Sequence, residues 1–401
     1  MKILSITAQK PDSTGSGVYL TELVKGFKKL GHEQAVIAGV YEEDIFCASE
    51  NIDVYPVFFR TDELPFPIAG MSDEMPYQST KYSDMTEVMT EQFKKGFSKQ
   101  IQNAIIEFNP DIILCHHLYY LTSLVRELCS DKKVFGICHG SDLRQIKKNP
   151  WQRNYIIEQI KRLDGIFALH SEQRDQIIEY YGCTPEQVSV IGTGYNSDVF
   201  YISDSWKSEK KTEKLRLIFA GKLSEKKGVM SLIRSLSNIV NAENNIELAL
   251  AGGYGNEKEY QEICELAEEC PAEVQFLGKL SHEELAKELN QSDIFVLPSF
   301  YEGLPLVIIE AMACGLKAVC TDLPGIQRWL DENLPEHGVV FVQPPKMRNE
   351  DEPLPDSLPE FEYQVASAIE KARVQHLPNQ EYVQKLSWNG LCRKLMEIIN
   401  K

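Results

Sequence analysis

Short apolar bursts alternate with longer amphipathic stretches along the whole chain. Lys2 to Thr7 reads as a strand, followed by a loop with Gly15 and Gly17 and a helix from about Val18 to Leu30 that stops at Gly31. Gln34 to Gly39 is the next strand, and a long helical pattern spans about Thr86 to Phe108. Further strands are predicted at Asp111 to Cys115, Val134 to Cys138, Gly165 to Ala168 and Val188 to Ile191. A second series follows at Leu215 to Ala220, Glu247 to Ala251, Val274 to Leu277, Ile294 to Leu297, Ala318 to Cys320 and Val339 to Val342. Such alternation implies parallel sheets with helices on both faces, because each parallel connection needs a crossover. The prediction is an α/β protein with two doubly wound, Rossmann-like domains, residues 1–203 and 204–385, and a final amphipathic helix near Leu386 to Ile399.

Three stretches break the rhythm. Between Tyr41 and Tyr82 the periodicity is lost amid prolines and acids, which predicts an irregular insertion over the first domain's ligand face. Tyr201 to Glu213 is polar and suits an interdomain linker, and Pro344 to Glu362 reads as a surface loop.

Composition narrows the partners. At 401 residues and 43% hydrophobic content, each half can bury its own core. A net charge of −17 argues against a nucleic-acid partner, since phosphate backbones are bound by clustered Lys and Arg. The ten cysteines form no C-x-x-C pair, which is free-thiol usage in a reducing compartment. The apolar run at the N-terminus is too short for a signal peptide, and no apolar stretch approaches the ~20 residues of a spanning helix, so the expected location is cytoplasmic.

Candidate chemistry concentrates where predicted strands end. Ser299-Phe300-Tyr301-Glu302-Gly303-Leu304-Pro305 follows an apolar strand and precedes a helix with Glu310-Ala311-Met312-Ala313-Cys314-Gly315. Ligands of open parallel sheets bind beyond the carboxyl ends of the strands, and helix starts attract anions. One acid beside a phosphate cradle and a second two turns down the helix suggest a sugar-nucleotide site. Phe219-Ala220-Gly221-Lys222-Leu223, shortly before Lys227-Gly228, places two cations after another strand. His139 closes the strand ending at Cys138, ahead of Gly140-Ser141-Asp142. Gly15-Ser16-Gly17-Val18-Tyr19-Leu20 lacks the third glycine of a dinucleotide fingerprint, so that loop reads as bordering donor phosphates or acceptor. Arg144, Lys147, Lys148, Arg153, Lys161 and Arg162 form the one basic concentration of the first domain, a solvated helix face by default and otherwise a surface for an anionic acceptor or an acidic membrane. Against the membrane stand twelve acids and five bases in residues 41–100, which favour a soluble acceptor. No metal motif is evident, and the adjacent His116 and His117 are expected to point to opposite faces of a strand.

The paired glutamates Glu302 and Glu310 in these flanks resemble the donor-site motif of retaining GT-B glycosyltransferases of family 4. Phe219 to Lys227, His139 to Asp142, Thr193-Gly194-Tyr195-Asn196 with Phe200, and Ser387-Trp388 fall in that family's order along nearly the whole chain. The resemblance implies a GT-B architecture in which the two domains face a deep cleft and helix 386–401 crosses back to the first domain, with hinges near 201–213 and near 380. It implies transfer of a hexose-type sugar from a nucleoside diphosphate sugar, UDP on family grounds, to the hydroxyl of a small or glycan acceptor, with no bound metal and no cofactor. It assigns Lys222 and Lys227 to the donor diphosphate, Glu302 to the sugar hydroxyls, Glu310 to the ribose, and Gly15, Gly17, Gly221, Gly303, Leu304 and Pro305 to donor-binding backbone. His139 is assigned to the donor sugar or leaving phosphate. Asp142 reads either as orienting the acceptor or as a cap for the next segment, and Arg144, from the basic concentration, as an acceptor contact. This chain departs from the family by carrying lysine where arginine is usual at Lys222, and proline where glycine is frequent at Pro305, which removes one N–H donor. Two other classes fit the same features: a GT-B sugar-nucleotide epimerase, which would convert the donor without an acceptor, and a non-catalytic GT-B binding subunit, which would not need His139, Lys227, Glu302 and Glu310 together.

Overall fold

The apolar bursts pair into two parallel sheets in the computed structural model, which describes residues 1–11, 13–44, 52–72, 75–208, 214–239, 245–302, 305–349 and 352–401. The chain divides into one unit of Met1–Gly194 with Trp388–Lys401 and a second of Tyr195–Ser387. The sequence reading sets its divisions at 203/204 and 385/386.

In the first unit the strands are β1 (Lys2–Thr7), β2 (Glu33–Val40), β3 (Asp53–Phe58), β4 (Ala69–Gly70), β5 (Thr80–Lys81), β6 (Ile112–His116), β7 (Lys133–Ile137), β8 (Gly165–Ala168) and β9 (Val188–Val190). Seven of them form one sheet in the order β3-β2-β1-β6-β7-β8-β9, while β4 and β5 pair separately. The second unit contributes β10 (Leu215–Ala220), β11 (Ile246–Ala251), β12 (Glu273–Gly278), β13 (Ile294–Leu297), β14 (Lys317–Thr321) and β15 (Val340–Val342), in the order β12-β11-β10-β13-β14-β15. Strand order reverses direction between β1 and β6 in one sheet and between β10 and β13 in the other. At such a switch point the loops leaving neighbouring strands diverge to opposite faces and leave room for a ligand.

Local sequence explains the elements that flank these points. The helix Gly15–Lys29 starts where the Thr14 hydroxyl accepts from the Gly17 N–H, and it buries Tyr19, Leu20, Leu23, Val24 and Phe27 on one face. It stops at Gly31, whose φ of 83° lets Gly31 and His32 donate back to Lys28 and Phe27. The final helix Trp388–Ile399 lies against it, with Cys392 close to Gly26 and the Trp388 ring edge-on to Tyr19 at 4.9 Å.

Two expectations are corrected. The stretch from Tyr41 to Tyr82 is not wholly irregular, because β3 runs parallel to β2 within it. Pro56 and flanking acids hide this strand, and it is an edge strand, where a missing N–H is tolerated. Nor is Tyr201 to Glu213 a free linker over its described part: the Asn290 side chain accepts from the Ser203 N–H at 2.8 Å and donates to the Tyr201 carbonyl at 3.0 Å. Residues 209–213 of that stretch lie outside the described residues.

The second sheet's switch point rests on glycines. Gly228, at φ 69°, would place a Cβ 2.0 Å from the Pro298 carbonyl oxygen, and Gly252 would place one 1.7 Å from that of Gly221. Gly228→Ala should therefore lower stability by ~2 kcal/mol or more. Gly15→Ala is the control, since nothing lies within 4 Å of its would-be Cβ, and it should change stability by less than ~0.5 kcal/mol. Thermal denaturation of the two variants checks this, and equal midpoints would contradict the close approach at Gly228.

Candidate functional site

Lys227, Glu302 and Ser299 meet at the β10/β13 switch point. The turn after β10 ends at Gly228, and Phe300, just beyond β13, donates its N–H to the Lys226 carbonyl at 3.0 Å, so the two loops are held side by side. Across this junction the Lys227 ammonium bonds Glu302 Oε1 at 2.6 Å, and the buried Ser299 hydroxyl donates to the same oxygen at 2.8 Å. The Lys227 side chain is 30% exposed and that of Glu302 15%, so the pair is screened by water and worth no more than ~1 kcal/mol. An incoming anion with several oxygens can compete for such a lysine.

The other expected residues of this unit lie around the pair. Gly221 follows β10, and its N–H bonds the Ala251 carbonyl at 2.9 Å. Lys222 is exposed, with its ammonium over Gly255, where a Cβ would meet it at 2.6 Å. Pro305 is buried and opens the helix Leu306–Ala313. Gly303 and Leu304 lie outside the described residues. Glu310 sits on that helix between buried Ile309 and Ala311, and no partner for its carboxylate is found among the described residues. Burial pushes its carboxyl up to about 7.

The first unit brings a second cluster to the ends of β1, β6 and β7. His116 is the last residue of β6, and His117 takes a left-handed φ of 72°, which ends the strand's alternation. Both imidazoles therefore turn toward His139, correcting the expectation of opposite faces. His116 Nδ1 lies 3.1 Å from His139 Nε2, the two rings are stacked with centroids 5.3 Å apart, and the His117 ring centroid is 4.8 Å from that of His139. His117 Nε2 is 3.0 Å from the Ser16 hydroxyl, and Tyr19 stands edge-on to His139 at 5.2 Å. Burial lowers the His116 imidazole to about 3, with His117 adding to the effect. Burial also holds His139 well below its ordinary range, helped by both neighbouring rings, and lowers His117 against an opposing pull from Asp142. All three rings are neutral at pH 7.

Gly15 and Gly17 form the first turn of the helix after β1, beside this cluster, with Gly15 exposed and the Gly17 N–H taken by Thr14. Asp142 does not sit where an acceptor can reach it. It is fully buried, and its carboxylate accepts from the Leu118 N–H at 2.9 Å and the His139 N–H at 3.2 Å, with the Cys138 thiol at 3.3 Å. The expected acceptor contact is thus corrected to a loop anchor: it ties the His139 turn to the end of β6. Arg144 is exposed one turn further along the helix Ser141–Lys148. Of the functional candidates that sequence reasoning missed, His116 and His117 carried one signal, polar residues at the end of an apolar strand, whereas Ser16 sits in the first turn of the helix Gly15–Lys29.

Among the described residues, no group of three or more His, Cys, Asp or Glu is arranged to hold a metal ion, and no helix is long and apolar enough to cross a membrane. The nine described cysteines are all free.

The two parallel α/β units have the GT-B fold. The profile of "Glycosyl transferases group 1" matches residues 202–350 and that of "Glycosyltransferase Family 4" matches residues 87–199, together more than half of the chain. An uncharacterized glycosyltransferase of Methanocaldococcus jannaschii is 23% identical over 360 residues, 81% of this chain and 82% of that one. The phosphatidylinositol N-acetylglucosaminyltransferase GPI3 subunit of Saccharomyces cerevisiae is 24% identical over 56% of this chain, which spans about half of that relative, 48%. In fold, HepE of Anabaena, solved in complex with UDP, is similar over 100% of both chains with a TM-score of 0.66 at 15% identity. The chain belongs to the group 1 glycosyltransferases.

Glu310, without a partner among the described residues, makes stability depend on pH. With its carboxyl raised to about 7, the folded chain keeps a proton that the unfolded chain releases in the ordinary carboxylate range. Stability therefore falls as pH rises from about 4.5 to about 7. Glu310→Gln removes this titration and should be more stable than the parent near pH 8 by ~1–3 kcal/mol, with the gap shrinking toward pH 4. Urea denaturation at the two pH values checks it; a pH-independent difference would show that Glu310 does not titrate in that window.

Proposed function

We propose that the chain is a retaining glycosyltransferase that moves a hexose-type sugar from a UDP-sugar to an acceptor hydroxyl without a bound metal ion. The observation that carries this reading is the meeting of Lys227, Glu302 and Ser299 at one switch point, with Glu310, which has no partner among the described residues, on the adjoining helix. Cations there stabilise a leaving diphosphate, and carboxylates hold polyhydroxyl groups, so the set suits both ends of a nucleotide sugar. The fold similarity to HepE, solved with UDP-glucose, supports a UDP-sugar as donor.

In this reading the donor diphosphate draws Lys227 from Glu302 and is also met by Lys222. Glu302, freed of its lysine, accepts from sugar hydroxyls while Ser299 continues to orient it. Glu310 accepts from the ribose hydroxyls. The backbone at Gly221 and Pro305 borders the phosphates, and Gly15 and Gly17 leave room for donor atoms on the first unit. His139 meets the sugar or phosphate, and Arg144 faces the acceptor. The bond from the anomeric carbon to the phosphate oxygen breaks, and the bond to the acceptor oxygen forms on the same face. The acceptor's proton passes to the departing phosphate oxygen, so configuration is kept without a protein nucleophile. The lysines and the start of helix Leu306–Ala313 supply the positive charge that a divalent ion supplies elsewhere. The free cysteines support a reducing, cytoplasmic setting.

Lys227→Ala and Glu302→Ala should each lower kcat by roughly 10²-fold or more, because each removes a preorganised charge contact. Steady-state transfer from UDP-sugars in EDTA measures this. Turnover within about threefold of wild type in both variants would contradict the assignment. Conversion of the donor to an epimer without any acceptor would replace transfer by isomerisation.

A further inference from the structure

His139 is bonded at one nitrogen and open at the other, and that asymmetry has a chemical consequence. Its Nε2 lies 3.1 Å from His116 Nδ1. For its Nδ1 no partner is found among the described residues, and the ring keeps part of its surface exposed. His116 is enclosed, and its far nitrogen, Nε2, is a buried atom without a hydrogen-bond partner among the described residues.

Each ring is neutral, held below its ordinary range by burial, so each carries one proton. Two arrangements satisfy the shared bond. If His139 donates from Nε2, the His116 proton must sit on Nε2, an N–H buried without an acceptor. If His116 donates from Nδ1, its Nε2 carries only a lone pair, and the proton of His139 moves to the open Nδ1. Buried orphan N–H groups are rarer in folded proteins than under-used acceptors, which decides for the second arrangement.

We propose that His116 is a positioning residue that fixes His139 as the Nδ1–H tautomer, so that His139 offers a ligand a hydrogen-bond donor and no basic nitrogen. Its Nε2 is capped by His116 and its Nδ1 holds the proton. The ligand group it takes is an oxygen acceptor, a sugar hydroxyl or a phosphate oxygen of the donor, and this part rests on the function proposed above. His117 completes the frame from the side: with Nε2 beside the Ser16 hydroxyl at 3.0 Å and Nδ1 3.5 Å from that of Ser141, it ties the helix start to the His139 turn.

The test is long-range ¹H–¹⁵N correlation of the imidazoles in the full-length chain labelled with ¹⁵N-histidine, His139 being assigned by its loss in His139→Gln. In the free protein at pH 7 the expected result is a protonated Nδ1 and a bare Nε2 on His139. A protonated Nε2 overturns the proposal whatever the enzyme does. His116→Asn, whose amide nitrogen occupies the place of Nδ1, should keep the Nδ1–H form, whereas His116→Ala should release His139 into a mixture and lower kcat/KM about tenfold. Should His116→Ala fail to fold, the wild-type spectrum and His116→Asn decide alone.

Titration with UDP and then with UDP-glucose identifies the oxygen. A shift of the Nδ1 proton with UDP alone indicates phosphate, and a shift only with UDP-glucose indicates a sugar hydroxyl. Donor binding without any shift of that proton overturns the donating role. If no donor binds, the proposed function fails, while the tautomer is still read from the free protein.

Discussion

Where the second sheet reverses its winding, two pairs of backbone segments approach more closely than any side chain allows. Gly228 abuts the Pro298 carbonyl and Gly252 that of Gly221, and these contacts dock the turns after β10, β11 and β13 onto one another. A cation and an acid 75 residues apart in sequence can then meet at 2.6 Å. Without that approach Lys227 and Glu302 would be two charged residues on separate loops. The charge pair is a product of the backbone contact and contributes little to holding it, because a partly exposed ion pair is weak.

The two clusters solve opposite electrostatic problems. At the second unit's strand ends, opposite charges neutralise one another at the surface, ready to be separated by a ligand that carries charge of its own. At the first unit's strand ends, three imidazoles lie together where charging any of them would cost desolvation and repulsion, so they stay neutral and are ordered by hydrogen bonds. Asp142 supports that order through backbone N–H groups, keeping its carboxylate occupied and away from any substrate. An ion pair and a neutral histidine frame are therefore the polar devices at these strand ends.

Much of the fold was legible because parallel strands buried on both faces leave continuous apolar runs, as in Ile112 to Cys115 and Ile294 to Leu297. The edge strand β3 was hidden by Pro56 and by its exposed residues Val54 and Phe58, since an edge needs neither a full ladder nor an apolar run. Placement at strand ends and motif resemblance pointed to Glu302, Lys227 and Glu310; no local pattern announces that Lys227 and Glu302 touch. His116 and His117 were misread because strand periodicity assumes that the strand continues, and a left-handed residue at its end turns the second ring back. Asp142 read as an acceptor contact, and only the surrounding backbone reveals it as buried.

The central claim is a donor site that binds a nucleotide sugar and needs no metal. The most direct measurement is the thermal midpoint of the purified full-length chain against UDP-, GDP- and ADP-sugars, all in EDTA, because a ligand selective for the folded state raises the midpoint. The account predicts a rise with UDP-sugars in the absence of free metal. A well-folded protein whose midpoint moves with none of them would contradict it.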